Sequence, residues 1–277
     1  MIGSFFSLNG QLLPKEQAVV SVDHIEFSYG FGVYESLKVR NRILYFPELH
    51  IDRLFLSAQT LSLPCLFSKK QVLDFLHEFI NSVSEESFNI KMILIGKNQG
   101  KESDLYIFAL NPLYLPSKSY TQGIKVITFL GERQFIQAKS LNMLMSYLAF
   151  KQAREQKAHD ALLVDSHNCV LEGTRTNFFF TDGITIFSPS VEKVLNGVTR
   201  ITLLDALKKN KIPFKEKDLN VNELSNYSGF FVTSTSANVL PVSEIDGKKF
   251  KIPDIVKKVI SAYDQHLEAY AKSAKKV

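Results

Sequence analysis

The alternation of apolar and polar positions divides the chain into extended and helical stretches. FFSL, QLLP, AVVSV, ESLKV and RILYF read as strands. Between the first two, Asn9-Gly10 is the sharpest hairpin signal, because both residues tolerate the positive φ of a two-residue turn. Helical periodicity follows over about 47 to 61 (PELHIDRLFLSAQTL) and 69 to 82. IKMILIG and DLYIFAL then predict a strand pair joined by the polar loop KNQGKES, completing one α/β unit. The segment NPLYLPSKSYTQ is rich in Pro, Ser and Tyr without periodicity and reads as a linker. Beyond it run IKVITFL, a helix, ALLVD, CVLEG, TNFFFTD, GITIFS, a helix over about 199 to 210, GFFVTS and a final helix from Pro253. The pattern predicts an N-terminal α/β domain over 1–115, a linker over 116–122 and a C-terminal α/β domain over 123–277, with no internal repeat.

In FIQAKSLNMLMSYLAF, residues 135 to 150, Leu141, Leu144, Met145 and Leu148 recur at the spacing of a buried helical face. This predicts a helix beginning near Ser140, with Lys139 just outside its first turn. The positive end of a helix dipole and partial burial both disfavour an ammonium there, so Lys139 is a candidate nucleophilic amine. The plainer alternative is a lysine whose stem covers the helix end while its head reaches water.

Composition narrows the function classes. The 277 residues are 45% hydrophobic and 22% charged, as in an ordinary globular protein. The net charge of +5 is spread along the chain, its densest cluster being the terminal KSAKKV, which reads as a solvated tail. No aromatic and basic residues interleave on a predicted face, so no nucleic-acid partner is expected. Cys65 and Cys169 form neither a CxxC pair nor a disulfide framework, which fits a reducing compartment. No apolar run reaches membrane-span length, and MIGSFFSLNGQLLP lacks the basic start of a signal peptide. A soluble, cytoplasmic protein is the expectation.

Several features of the second domain share a theme. LNGVTR precedes the helical ITLLDALKK, so the amides of Val198 and Thr199 and the Thr199 hydroxyl fall at a helix N-terminus, a place for an anion. GFFVTSTSAN ends an apolar strand with Thr233, Ser234, Thr235 and Ser236, able to surround phosphate oxygens or to form a locally bonded turn. Glu172, in VLEGTRTNFFF, is either a solvated turn residue or an inward carboxylate needing a cationic partner. In the first domain, Arg53, on the predicted helix at HIDRL, has a surface salt bridge as its default role. An amine nucleophile, a carboxylate for a protonated ring nitrogen and a set of phosphate donors together match the needs of pyridoxal phosphate. The six histidines are scattered without HExxH or Cys/His spacing, so no metal site is expected, and GxSxG, the P-loop and GxGxxG are missing.

YGFGVYESLKV, HIDRL, AKSLN, LEGTRTNFF, LNGVTR and FVTSTSANVLPVSEIDG, in that order, resemble the signature blocks of the fold-type IV pyridoxal-phosphate enzymes, across about residues 5 to 248. That group holds branched-chain and D-amino-acid aminotransferases and 4-amino-4-deoxychorismate lyase. The resemblance implies a two-domain α/β (α+β) fold with its active site at the domain interface. It implies Lys139 as the Schiff-base lysine, Glu172 on the pyridinium nitrogen, and Arg53, Val198, Thr199, Ser234 and Thr235 on the phosphate, with Tyr34 lining the pocket. It further implies a homodimer acting on a small amino acid or, as a lyase, on aminodeoxychorismate with release of pyruvate and p-aminobenzoate. Two positions depart from the pattern: Phe31 stands where many members have Asp, and GKNQGKESD stands where D-amino-acid aminotransferases carry the RGxxxRxH carboxylate trap.

Overall fold

The computed structural model describes residues 1–277 and divides into two units. The first holds Met1–Leu113, Gln137–Met143 and Tyr270–Val277; the second holds Tyr114–Ile136 and Leu144–Ala269.

The first unit is built on a six-stranded antiparallel sheet of β1 (Ile2–Leu8), β2 (Gln11–Pro14), β3 (Gly32–Arg40), β4 (Ile43–Leu44), β5 (Phe88–Lys97) and β6 (Glu102–Leu110), in the order β2-β1-β6-β5-β3-β4. Its helices are α1 (Ile25–Ser28), α2 (Pro47–Thr60) and α3 (Lys69–Asn81). Asn9 and Gly10 turn the first hairpin at positive φ, as the dipeptide predicts. α3 starts at a reciprocal cap in which Ser68 accepts from the Gln71 amide and the Gln71 side chain accepts from the Ser68 amide. AVVSV forms no strand: β-branched content stabilises a strand only against a paired neighbour, and Val22 is 97% exposed. RILYF gives only the two residues of β4, because Phe46 turns to positive φ and Pro47 opens α2.

The period of two sorts β3 into faces. Val33, Leu37 and Val39 enter a core with Leu54 of α2, Leu76 and Phe79 of α3, and Met92 of β5. A fully buried side chain of this size contributes about 1.5–3 kcal/mol. Tyr34, Ser36 and Lys38 therefore lie on the opposite face, and the register Ser36↔Lys91 puts Lys91 of β5 there too.

The second unit contains β7 (Ile124–Leu130), β8 (Asp160–Val164), β9 (Val170–Gly173), β10 (Asn177–Thr181), β11 (Ile186–Ser188), β12 (Phe214–Glu216), β13 (Gly229–Ser234), β14 (Asn238–Ile245) and β15 (Lys248–Lys249). Its helices are α4 (Ser117–Thr121), α5 (Leu144–Glu155), α6 (Val198–Lys209) and α7 (Asp254–Ser273), the last turn of α7 belonging to the first unit. The sheet path β12-β11-β10-β13-β14-β7-β8-β9 is closed by a pairing of β9 with β10 at Glu172↔Asn177. Six strands thus form a ring. NFFFT of β10 is buried on both faces: Phe178 stacks near Phe230, and Phe179 lies 4.9 Å from Phe231 on the other side.

Two expectations are corrected here. The helix predicted from Ser140 starts at Leu144, and Leu144 and Leu148 are 69% and 48% exposed. Its buried side is the small-residue stripe Ser146, Ala149 and Ala153, which lets α5 approach Ile127 and Leu163 closely. Residues 137–143, assigned from sequence to the C-terminal domain, instead group with the first unit: Ser140 bridges Val33, and the Leu141 amide donates to the Gly32 carbonyl at 2.8 Å. The segment 116–122 carries the short α4.

Candidate active site

In the first unit the backbone of Lys139 is fixed on both sides. Its carbonyl accepts from the Tyr34 amide at 2.9 Å, and its amide donates to Ser57 Oγ of α2 at 3.0 Å. The Lys139 Nζ lies 4.6 Å from the centroid of the Tyr34 ring, which is only 5% exposed. Lys91 Nζ lies 3.5 Å from the same centroid. Burial pushes the Lys91 ammonium below the ordinary lysine range, and the charge of Lys139 adds to the shift, while Tyr34 and Glu35 oppose it.

Arg53 is not on the surface. Residues 50 and 53 share one face of α2 at i, i+3 spacing, and both reach Glu35, which points into the core between Val33 and Leu37. Arg53 donates through Nε to Glu35 Oε1 at 2.7 Å and through a terminal nitrogen to Oε2 at 2.8 Å; His50 Nδ1 meets Oε2 at 2.7 Å. Burial alone would raise the Glu35 pKa, but the Arg53 guanidinium and the His50 hydrogen bond outweigh it and hold the carboxyl well below the usual range. Burial lowers the His50 pKa against the pull of Glu35, so the ring is neutral with its proton on Nδ1, facing an acceptor that can only accept.

In the second unit the site residues gather on one rung of the ring. Asn177 pairs with Glu172 on one side and with Thr233 on the other. The buried Glu172 carboxylate lies 3.3 Å from Arg133 Nε, 3.4 Å from the Leu195 amide and 3.5 Å from the Asn177 amide nitrogen. Asn177 also donates to the Leu195 carbonyl at 2.8 Å, tying the rung to the turn that leads into α6. A Cβ at Gly197 would overlap Asn177 Oδ1, so only glycine admits this approach. Gly197 offers no side chain to cap α6, and the buried Val198 and Thr199 present their amides at the helix start. Tyr263 of α7 bonds Thr202 at 3.1 Å, and burial pushes its phenol up to about 12. At the end of β13, Thr233 Oγ1 is buried without a hydrogen-bond partner, Ser234 Oγ accepts from the Ala237 amide at 3.2 Å, and Thr235 is half-buried.

Tyr34, Arg53 and Lys139 thus belong to the first unit, and Glu172, Val198, Thr199, Ser234 and Thr235 to the second. Sequence reasoning missed Glu35, His50, Lys91, Arg133 and Asn177. A signal existed for two of them: Lys91 is a lone charge inside an apolar strand, and His50 shares the helical spacing of Arg53. The divergent loop also has a defined structure. Lys97 pairs with Asp104 at 2.6 Å and Glu102 at 3.7 Å, Phe31 packs against Gly96 and Gly100, and Glu26 accepts from the Gly100 amide at 3.2 Å.

Comparison with known proteins adds the family. The model of amino-transferase class IV matches residues 32–245. A D-alanine aminotransferase from Bacillus licheniformis is 28% identical over 250 residues, spanning 87% of this chain and 88% of that protein. A putative branched-chain-amino-acid aminotransferase from Methanocaldococcus jannaschii is 29% identical over 267 residues, spanning 91% and 92%. Among solved structures, a branched-chain aminotransferase from Thermoproteus uzoniensis with norvaline superposes with a TM-score of 0.90 at 23% identity, covering 98% of each chain. The fold is the one expected from the signature blocks.

Proposed function

Because the chain belongs to the class IV amino-transferases and is therefore a pyridoxal-phosphate-dependent enzyme, we propose that it transfers the amino group of a small α-amino acid, with Lys139 as the lysine that carries the cofactor. The observation that carries this reading is the Lys139 amine beside a buried tyrosine ring, on a backbone held by Tyr34 and Ser57. The residues present fit the group. Uncapped amides at the start of α6 suit its phosphate, the buried Glu172 carboxylate suits a protonated ring nitrogen, and the orphaned Thr233 hydroxyl shows unused donor capacity at the end of β13.

When bound, pyridoxal phosphate supplies an electron sink for the bond broken at the substrate α-carbon. The chain does the rest. Lys139 moves a proton to and from that carbon as general base and acid. Glu172 holds the ring-nitrogen proton. Val198, Thr199, Ser234 and Thr235 hold the phosphate, Arg53 joins them as a fork already oriented by Glu35, and Tyr34 forms the wall beside Lys139. Exposed Val22, Ile25, Phe27 and Tyr29 support pairing with a second copy as a homodimer. Free Cys65 and Cys169 fit a reducing cytoplasm, and no helix is long and apolar enough to cross a membrane.

Borohydride reduction followed by peptide mapping is expected to place the cofactor on Lys139, and Lys139→Ala to abolish the visible absorbance of the purified protein. A label on another lysine removes the assignment. Amino transfer from D- and L-amino acids to 2-oxoglutarate, measured beside pyruvate release from aminodeoxychorismate, tests the reaction class; faster pyruvate release replaces the transferase with a lyase.

A further inference from the structure

The Lys91 ammonium is a half-buried charge for which the proposed chemistry has no use. It stands on β5 in register with Ser36, on the face that carries Tyr34, and its other strand neighbour is the uncharged Phe108. Its nitrogen sits 3.5 Å from the Tyr34 centroid and that of Lys139 sits 4.6 Å from it, so the two nitrogens are no more than about 8 Å apart. The one carboxylate that acts on Lys91 is Glu35, which points to the opposite face and is engaged by Arg53 and His50.

We propose that Lys91 is a positioning residue whose ammonium holds the neighbouring Lys139 amine in its unprotonated, nucleophilic form. The inference rests on the reading of Lys139 as the cofactor-bearing lysine. The charges around Lys139 within its unit support it. β3 contributes the Tyr34 phenol, Lys38 and Glu35; α2 contributes Arg53, His50 and the Ser57 hydroxyl; β5 contributes Lys91. Glu35 is engaged by Arg53 and His50 is neutral, so neither of these two groups cancels the charge that Lys91 brings beside Tyr34. A second cation opposes protonation of an amine by direct repulsion, one of the established ways to free a lysine for attack on a carbonyl. The Tyr34 ring attracts either ammonium, but Lys91 holds the closer position. A unit charge about 8 Å away, at an effective dielectric constant of about 20, corresponds to a shift of about 1 to 1.5 pH units.

The test uses the full-length chain freed of cofactor, pulsed with acetic anhydride between pH 6 and 11, with acetylation of Lys139 read by mass spectrometry against the exposed Lys251. In Lys91→Met the midpoint for Lys139 is expected to rise by about one pH unit, making acetylation about tenfold slower at pH values below both midpoints. Lys91→Arg keeps the charge and is expected to keep the wild-type midpoint. Restored visible absorbance on adding pyridoxal phosphate reports that each variant is folded, and Lys91→Gln replaces Lys91→Met if the latter does not fold. An unmoved midpoint in the neutral variants, or an equal rise in Lys91→Arg, overturns the inference. Neither result depends on where borohydride places the cofactor, so failure of this proposal and failure of the Lys139 assignment are separate outcomes.

Discussion

Replacing Glu35 by Gln keeps the shape of the side chain and deletes one charge from the centre of the first unit. Glu35 is fully buried, and Arg53 and His50 are nearly so. In the variant one of the two bonds, at 2.7 and 2.8 Å, can persist to the amide oxygen, but the Arg53 guanidinium loses its buried counter-charge. Removing one partner of a buried ion pair costs about 3–5 kcal/mol, because the remaining charge stays desolvated. For a protein of this size each kcal/mol moves the melting temperature by roughly 2–4 °C, so a drop of about 10 °C is expected. Thermal unfolding by circular dichroism at pH 7.5 measures it. The double variant Glu35→Leu with Arg53→Met replaces the pair by apolar groups and is expected to melt above Glu35→Gln, giving a favourable coupling term in a double-mutant cycle. A loss below about 1 kcal/mol for Glu35→Gln would falsify this account and put the pair in the class of screened surface bridges.

The same network fixes a pH dependence. The folded pKa values of Glu35 and His50 are both lowered, so below their ordinary values of 4.5 and 6.5 the unfolded chain binds more protons and stability falls with acidification. The melting temperature is expected to decline from about pH 6.5 through the carboxylate range; a flat profile from pH 7 to 4 contradicts it. Glu172→Gln is expected to retain the cofactor but to lower kcat by about two decades, or about 3 kcal/mol, since a neutral amide cannot hold a ring-nitrogen proton as a carboxylate does; unchanged kinetics would confine Glu172 to a structural role on its rung. D-Alanine is expected to be a poor amino donor, with a kcat/KM about tenfold to hundredfold below that of L-leucine. The loop has no arginine fork, its Lys97 is engaged by Asp104 and Glu102, and a lost charge-assisted contact is worth about 1.5–3 kcal/mol. D-Alanine as the best donor refutes it.

Much of the fold was legible because its signals are local. The Asn9-Gly10 turn, the periodic helices α2 and α3 and the apolar strands β5 to β10 stand in the structure close to where pattern placed them. The errors arose where a local signal competed with a distant partner. Leu141, Leu144, Met145 and Leu148 carry helical spacing, yet the first of them is drawn into a bridge beside β3, more than a hundred residues earlier in the chain. The helix-dipole argument for Lys139 therefore does not hold, since α5 begins five residues later, and its proposed role rests on the AKSLN block and on its place beside Tyr34. Glu172 and the start of α6 were visible as motifs, but Asn177, which bonds to the turn before α6 and pairs with Glu172, was not. An asparagine opening an apolar strand looks the same whether it caps a turn or joins two strands. Arg133 lies in a segment without periodicity, and only a folded chain brings it to Glu172.

The discontinuity of the two units has a consequence for how the molecule is made. β7 pairs with β14 across more than a hundred residues, and the first unit is completed by Tyr270–Val277, where Tyr270 packs on Phe46 and the Val277 amide bonds the Arg42 carbonyl. On the ribosome, neither unit closes early: the strand run IKVITFL emerges long before its parallel neighbour β14, and residues 42–46 lack their covering helix end until residues 270–277 have been made. Such long-range closures slow folding and leave apolar edges open to wrong partners meanwhile. Loss of residues 270–277 is thus a lesion of the first unit, felt more than two hundred residues upstream of the cut.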